Sequence, residues 1–154
     1  MYTNSDWRSD KDTRRSITGV LILTQCPVNW ISKHQPIVTV SSPEAEYPAC
    51  FYAIQDIVWI RQLHEDNDLK RTRQTKVFIN NRLACQLAMY RMHRQRSKHI
   101  QIKYQWVRDM VASKAIKLIH VSTTKQHADF LTKTLPGGVF WRHAVAIMHA
   151  CGID

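Results

Sequence analysis

The hydrophobic period of the chain changes at Ser41, and that change constrains the fold more than any other feature. Before it, Ser16–Thr24 (SITGVLILT), Val28–Ser32 (VNWIS) and Ile37–Val40 (IVTV) are short runs rich in β-branched residues and read as strands. Tyr2–Trp7 is a shorter candidate strand. After it, Ser42-Pro43-Glu44-Ala45-Glu46 has the form of a helix start, with Ser42 as N-cap and Glu46 near the reach of a capping box. Ala49, Ala53, Ile57, Ile60 and Leu63 then recur at helical spacing. Pro48 falls within these first turns and either sits where early N–H groups lack acceptors or delays the start.

Beyond this helix the pattern alternates. Lys76–Ile79 reads as a strand that runs into Asn80-Asn81. Arg82–Tyr90 and Lys98–Ser113 read as helices, Ile116–Val121 as a strand and His127–Leu135 as a helix stopped by Pro136-Gly137-Gly138. Val139–Cys151 reads as a final amphipathic helix. Three leading strands suggest an antiparallel meander, and the later strand–helix–strand portions suggest parallel additions to the same sheet. The expected fold class is α/β, a mixed five-stranded sheet flanked by helices. A chain of 154 residues suffices for one domain with a sizeable core. Residues 1–140 form that domain and 141–154 a C-terminal helical tail.

Charge narrows the partners. The chain has 22 Lys and Arg against 12 Asp and Glu, a formal net charge of +10. That exceeds the roughly 2–8 charges that suffice for solubility in a small domain. It favours a polyanion, nucleic acid before an acidic membrane. One basic cluster holds Lys70, Arg71, Arg73 and Lys76; a second holds Arg91, Arg94, Arg96, Lys98, His99 and Lys103, interleaved with Tyr90, Tyr104 and Trp106. Such a surface would track a phosphate backbone with salt-dependent affinity. The alternative is a solvated loop and helix face. Trp30, Trp59 and Trp106 are expected as core anchors rather than stacking platforms.

Other classes are disfavoured. The polar N-terminus lacks a signal-peptide core, and no apolar run is long enough to span a bilayer. An intracellular location, cytoplasmic or nuclear, is expected. Cys26, Cys50, Cys85 and Cys151 form no CxxC pair; their spacing suggests neither a zinc site nor a disulfide framework, and points to a reducing compartment. His120, His127, His143 and His149 show no zinc spacing and read as surface or satisfied core residues.

Seven collinear blocks carry a resemblance: YTNSDW at 2–7, TRRSITG at 13–19, NWISKHQP at 29–36, SSPEAEYPA at 41–49, WIRQL at 59–63, RSKHIQIKYQWVRD at 96–109 and QHADFLTKTL at 126–135. Together they resemble the ribonuclease H domain of copia-type retrotransposon Pol polyproteins, from Tyr2 to about Phe140. The resemblance implies a mixed sheet whose first strand is central, next to the strand that ends at Asn80. It also implies hydrolysis of the RNA strand of an RNA–DNA hybrid by two Mg²⁺ ions held among carboxylates. Other Pol domains are further expected partners.

Two of the four acidic positions depart from the family pattern. The YTDAD-like motif reads YTNSD, which puts Asn4 at the first metal-bridging position. The CDN-like motif reads INN, which puts Asn80 at another. Glu46, the acid before Tyr47, and Asp129, in the ADxxTK-like motif, are retained as catalytic residues and metal ligands. An amide oxygen can touch a metal but adds no negative charge. Losing about 4 kcal/mol of transition-state stabilisation would slow the reaction roughly a thousandfold. The expectation is therefore impaired catalysis with weak or absent Mg²⁺ binding. Asp6 shares a strand face with Asn4 but sits roughly 6–7 Å further along, a poor substitute ligand. Glu46 and Asp129 have an alternative role in favouring helix N-termini.

The readings that remain are a degenerate nuclease domain, a non-catalytic nucleic-acid or protein binding module, an active nuclease that uses Asp6, Glu46 and Asp129, and an element remnant without function. Met1 falls just before the first motif, which suggests truncation of a longer polyprotein and a shortened central strand.

Overall fold

A computed structural model of the protein describes residues 1–69, 73–89 and 98–152. Five strands form one sheet: β1 (Tyr2–Asp6), β2 (Ile17–Leu23), β3 (Pro27–His34), β4 (Thr75–Ile79) and β5 (Ile116–His120). Their order is β3-β2-β1-β4-β5. The pairs β1–β2 and β2–β3 are antiparallel, while β1–β4 and β4–β5 are parallel. The expected mixed sheet with a central first strand is therefore present. Among the described residues four helices accompany it: α1 (Ser42–Asp66), α2 (Arg82–Met89), α3 (Lys98–Ala112) and α4 (Gly137–Ala150). Among the described residues no helix is long and apolar enough to cross a membrane.

The core lies between the sheet and α1 and α3. Val20 and Ile22 of β2, Val77 and Ile79 of β4, and Ile116 and Leu118 of β5 alternate toward Tyr47, Cys50, Ala53, Ile54 and Ile57 of α1 and Val107 of α3. The period-two alternation of the strands meets the helical period of α1, which is why the change at Ser41 fixes the layer arrangement. Tyr47 stacks on Tyr104 with ring centroids 3.5 Å apart, and its hydroxyl donates to the Tyr104 carbonyl. Tyr104 is therefore part of the core rather than of a basic surface.

Several sequence expectations are corrected. Ser41, not Ser42, is the N-cap of α1, and the first helical bond runs from the Ala45 N–H to the Ser41 carbonyl. Glu44, not Glu46, reaches back to the chain, accepting from the Val40 N–H. Pro48 lies well inside α1, which continues through it to Asp66. The helix forgoes one ladder bond there. Ile37–Val40 is not a strand: Ile37, Val38 and Val40 are exposed, and only Thr39 is buried, where its carbonyl accepts from the Trp7 indole. Trp30 and Trp59 are 64% and 65% exposed, so neither anchors the core. Trp106 does pack against it.

The largest departure is in the segment 123–135. The expected helix His127–Leu135 is absent; a 3₁₀ turn, Asp129–Leu131, forms within that span, and another, Thr123–Lys125, precedes it. Gly19 of β2 explains the tight course. A Cβ there would lie 2.5 Å from Thr132 Cγ2 and 2.8 Å from the Ala128 carbonyl. The segment lies directly on the strand backbone, and α4 begins only at Gly137. The division between 140 and 141 falls inside α4, whose His143 is buried.

Candidate active site

Parallel β1 and β4 are registered at a single pair, Tyr2 and Phe78. The fully buried Gln126 side chain donates to the Thr3 carbonyl at 3.0 Å and the Phe78 carbonyl at 3.4 Å, bridging the two strands. Beyond that bridge, a cavity of about 520 Å³ opens at the C-terminal ends of β1 and β4. Asn4, Asp6, Glu46, Asn80, Arg82 and Lys133 are among its lining residues. The tertiary structure thus brings four of the five expected acid-site positions, Asn4, Asp6, Glu46 and Asn80, to one cavity. Asp129 joins them through its bonds to Asn4 and Lys133.

Asn4 and Gly19 are register partners on adjacent strands, so both face the 3₁₀ segment. The Asn4 amide nitrogen donates to Asp129 Oδ1 at 2.6 Å and to Thr132 Oγ1 at 3.2 Å. The Thr132 hydroxyl in turn donates to the Asp129 carbonyl at 2.9 Å. A carboxylate accepts and does not donate, which settles the orientation of the Asn4 amide. Lys133 Nζ lies 2.9 Å from Asp129 Oδ2. Both oxygens of Asp129, itself 2% exposed, therefore have N–H donors.

Glu46 belongs to the α1 side of the cavity. It is buried and accepts a hydrogen bond from the Ser5 N–H, while Oε2 has no hydrogen-bond partner among the described residues. Burial pushes its pKa up to about 8, against the lowering effect of the Ser5 bond; the nearby Asp129 raises it further and Lys133 lowers it. Asn80 Oδ1 is also buried without a partner among the described residues. Asp6 is half-buried on the cavity rim, and its pKa is raised by burial, lowered by Lys133 and raised by Asp129. It shares the field of the site without replacing Asn4 in contact with Asp129.

Sequence reasoning passed over Lys133 and Thr132, although both lie in the ADxxTK-like block that supplied Asp129. It also left His127 and His143 apart. Their Nδ1 atoms are 3.1 Å apart, with Tyr2 against the His127 ring. Burial lowers both pKa values; the neighbouring charge of His143 further lowers that of His127.

The expected basic surface is only partly within the described residues. Lys70, Arg71, Arg91, Arg94 and Arg96 lie outside them, and Lys98 contributes only its place at the start of α3. Arg73 precedes β4, at the opposite end of that strand from Asn80, and does not join the cavity. Lys103 places its ammonium 5.0 Å from the Tyr52 ring centre and 5.2 Å from that of Phe51.

The fold and its relatives can now be identified. The crystal structure of LC11-RNase H1 in complex with an RNA/DNA hybrid matches with a TM-score of 0.59 and 18% identity, covering 85% of this chain and 91% of that one. The chain has the ribonuclease H fold. It is 33% identical over 140 residues, 90% of its length, to the retrovirus-related Pol polyprotein from transposon TNT 1-94 of Nicotiana tabacum. It is 36% identical over 147 residues, 95% of its length, to that from transposon RE1 of Arabidopsis thaliana. Its homologues over most of its length are thus copia-type retrotransposon Pol polyproteins. The chain spans about 10% of the length of each of these two relatives. No protein-family model matches it.

Proposed function

We propose that the chain is a ribonuclease H-like Pol domain that binds RNA–DNA hybrid and whose capacity to hydrolyse the RNA strand is lost or severely weakened. The observation that carries this reading is the state of Asp129: one oxygen is held by the Asn4 amide and the other by the Lys133 ammonium. Two Mg²⁺ ions would need hard, negatively charged oxygens gathered around both. The residues present do not fit that pair. Among the described residues no three His, Cys, Asp or Glu side chains stand close enough to hold a metal ion. Glu46 Oε2 and Asn80 Oδ1 remain as oxygen donors, and neither is a bridging acid. Lys133 supplies at Asp129 part of the positive charge that a bound ion would supply.

Binding is the part of the activity that this chemistry leaves intact. The net charge of +10 favours a phosphate backbone, and contact with a hybrid rests on duplex shape and ribose hydroxyls rather than on the acidic site. The test compares the native chain with the Asn4→Asp/Asn80→Asp double variant on a labelled RNA–DNA hybrid, in Mg²⁺ and in Mn²⁺, with binding followed in EDTA. The expected result is binding by both proteins and metal-dependent cleavage by the double variant alone. Metal-dependent cleavage by the native chain would overturn the impairment and make Asp6 the next residue to replace. Absence of binding at low salt would overturn the binding role.

A further inference from the structure

The C-terminal helix is held by little buried surface. Within α4 only His143 is buried, while Phe140, Trp141, Val145 and Met148 are exposed. Its C-cap is Cys151, half-buried, which ends beside the turn between β2 and β3 that carries the exposed Cys26. Cys26 Sγ lies 4.0 Å from the Cys151 carbonyl oxygen, across 125 residues of sequence. The neighbours of the two cysteines, Gln25 and Ala150, line one groove. The Cys26 side chain beside it holds the Cys151 thiol above its ordinary range.

We propose that Cys26 and Cys151 form a reversible intramolecular disulfide that pins the end of α4 to the β2–β3 turn, with a small disulfide of the glutathione type as oxidant. The 4.0 Å contact between the Cys26 sulfur and the Cys151 carbonyl puts the two residues side by side, and closing the bridge requires local adjustment that brings the sulfurs to about 2.05 Å. In the first step the thiolate of the more exposed Cys26 attacks one sulfur of the oxidant. A mixed disulfide forms and one small thiol leaves. The Cys151 thiolate then attacks the Cys26 sulfur, the mixed disulfide breaks, and the second small thiol leaves. The protein loses two electrons and two protons, and the oxidant takes up both as two thiols.

The other two cysteines provide an internal contrast. Cys50 and Cys85 are buried in the core. Burial raises both thiols, that of Cys85 to about 11, so they are poor nucleophiles shielded from the oxidant. The bridge has a consequence for the site. α4 carries His143 against His127, two residues from Asp129, so fastening its far end steadies the layer behind the acid.

The test treats the folded chain with oxidised glutathione at mildly alkaline pH, followed by peptide mapping without reduction and thermal melting. The expected product is a monomer lighter by two hydrogens, with the peptides containing Cys26 and Cys151 joined. Its Tm should rise by about 5 °C or more, because a long loop is closed in the unfolded chain. Cys26→Ser and Cys151→Ser should each abolish the link and the rise while melting like the untreated protein. The proposal is overturned if oxidation yields only stable glutathione adducts, dimers, links to Cys50 or Cys85, or an unchanged chain.

Discussion

Asn4 of the central strand and Asp129, 125 residues later, meet at 2.6 Å with the amide as donor and the carboxylate as acceptor. The amide supplies the donor hydrogen for this bond, which an ionised aspartate at residue 4 could not do. Two ionised carboxylates at that distance would repel unless a cation lay between them. Here the contact is attractive without any metal, and Thr132 and Lys133 complete a polar network around Asp129.

Asn4→Asp alone should therefore destabilise the metal-free protein. It exchanges a buried hydrogen bond for like-charge contact, at a cost of about 2 kcal/mol. Thermal melting in EDTA should show a Tm lower by about 4–8 °C, with part of the loss recovered in Mn²⁺. An unchanged Tm in EDTA would mean that the Asn4–Asp129 bond contributes nothing.

Glu46 makes stability depend on pH. Its pKa rises from an ordinary 4.5 to about 8 in the fold, mainly through burial. The folded state keeps the proton longer than the unfolded chain does, so this contribution is complete below about pH 4.5 and is lost as pH rises toward 8. Metal-free melts of the native chain should fall across that window by the equivalent of a few kcal/mol at most. Glu46→Gln should flatten the decline and be the more stable protein above pH 8. Parallel pH profiles for the two proteins would assign the dependence elsewhere.

Gly19→Ala should disturb the site through the neighbouring strand. The added methyl would meet Thr132 Cγ2 and the Ala128 carbonyl inside contact distance, and Ala128 is backbone that cannot swing away. Overpacking of this kind costs about 1–3 kcal/mol. The Tm should drop by roughly 2–10 °C, and amide NMR shifts should move at Asp129 and Thr132 as well as near residue 19. A change confined to residues around Gly19 would show that the 3₁₀ segment does not lean on β2.

Much of the frame was legible in the chain. Apart from Ile37–Val40, which is not a strand, the β-branched runs gave β2 and β3, the period change at Ser41 gave α1, and INN marked the end of β4, because these signals depend on residues close in sequence. The helix expected over His127–Leu135 failed for the opposite reason. Gln126 is drawn between β1 and β4, and Ala128 and Thr132 are pressed on Gly19, so contacts from distant strands override the local helical pattern. Trp30 and Trp59 misled in the same way: large apolar rings suggest a core, yet their positions on β3 and α1 leave them in solvent.

The sequence by itself determined that two of the residues gathered at the cavity are amides. Asn4 and Asn80 are amides by covalent structure, and no fold can give them a negative charge. It also determined the excess of positive charge. Only the tertiary structure decided what these side chains meet: Asn4 and Lys133 share the two oxygens of Asp129, Glu46 is buried enough to favour its proton, and Cys26 lies beside Cys151. The reason is physical. Charge and hydrogen-bonding type belong to the residue, whereas partner, burial and field arise from packing between segments often distant in sequence, as Asn4 and Asp129 are.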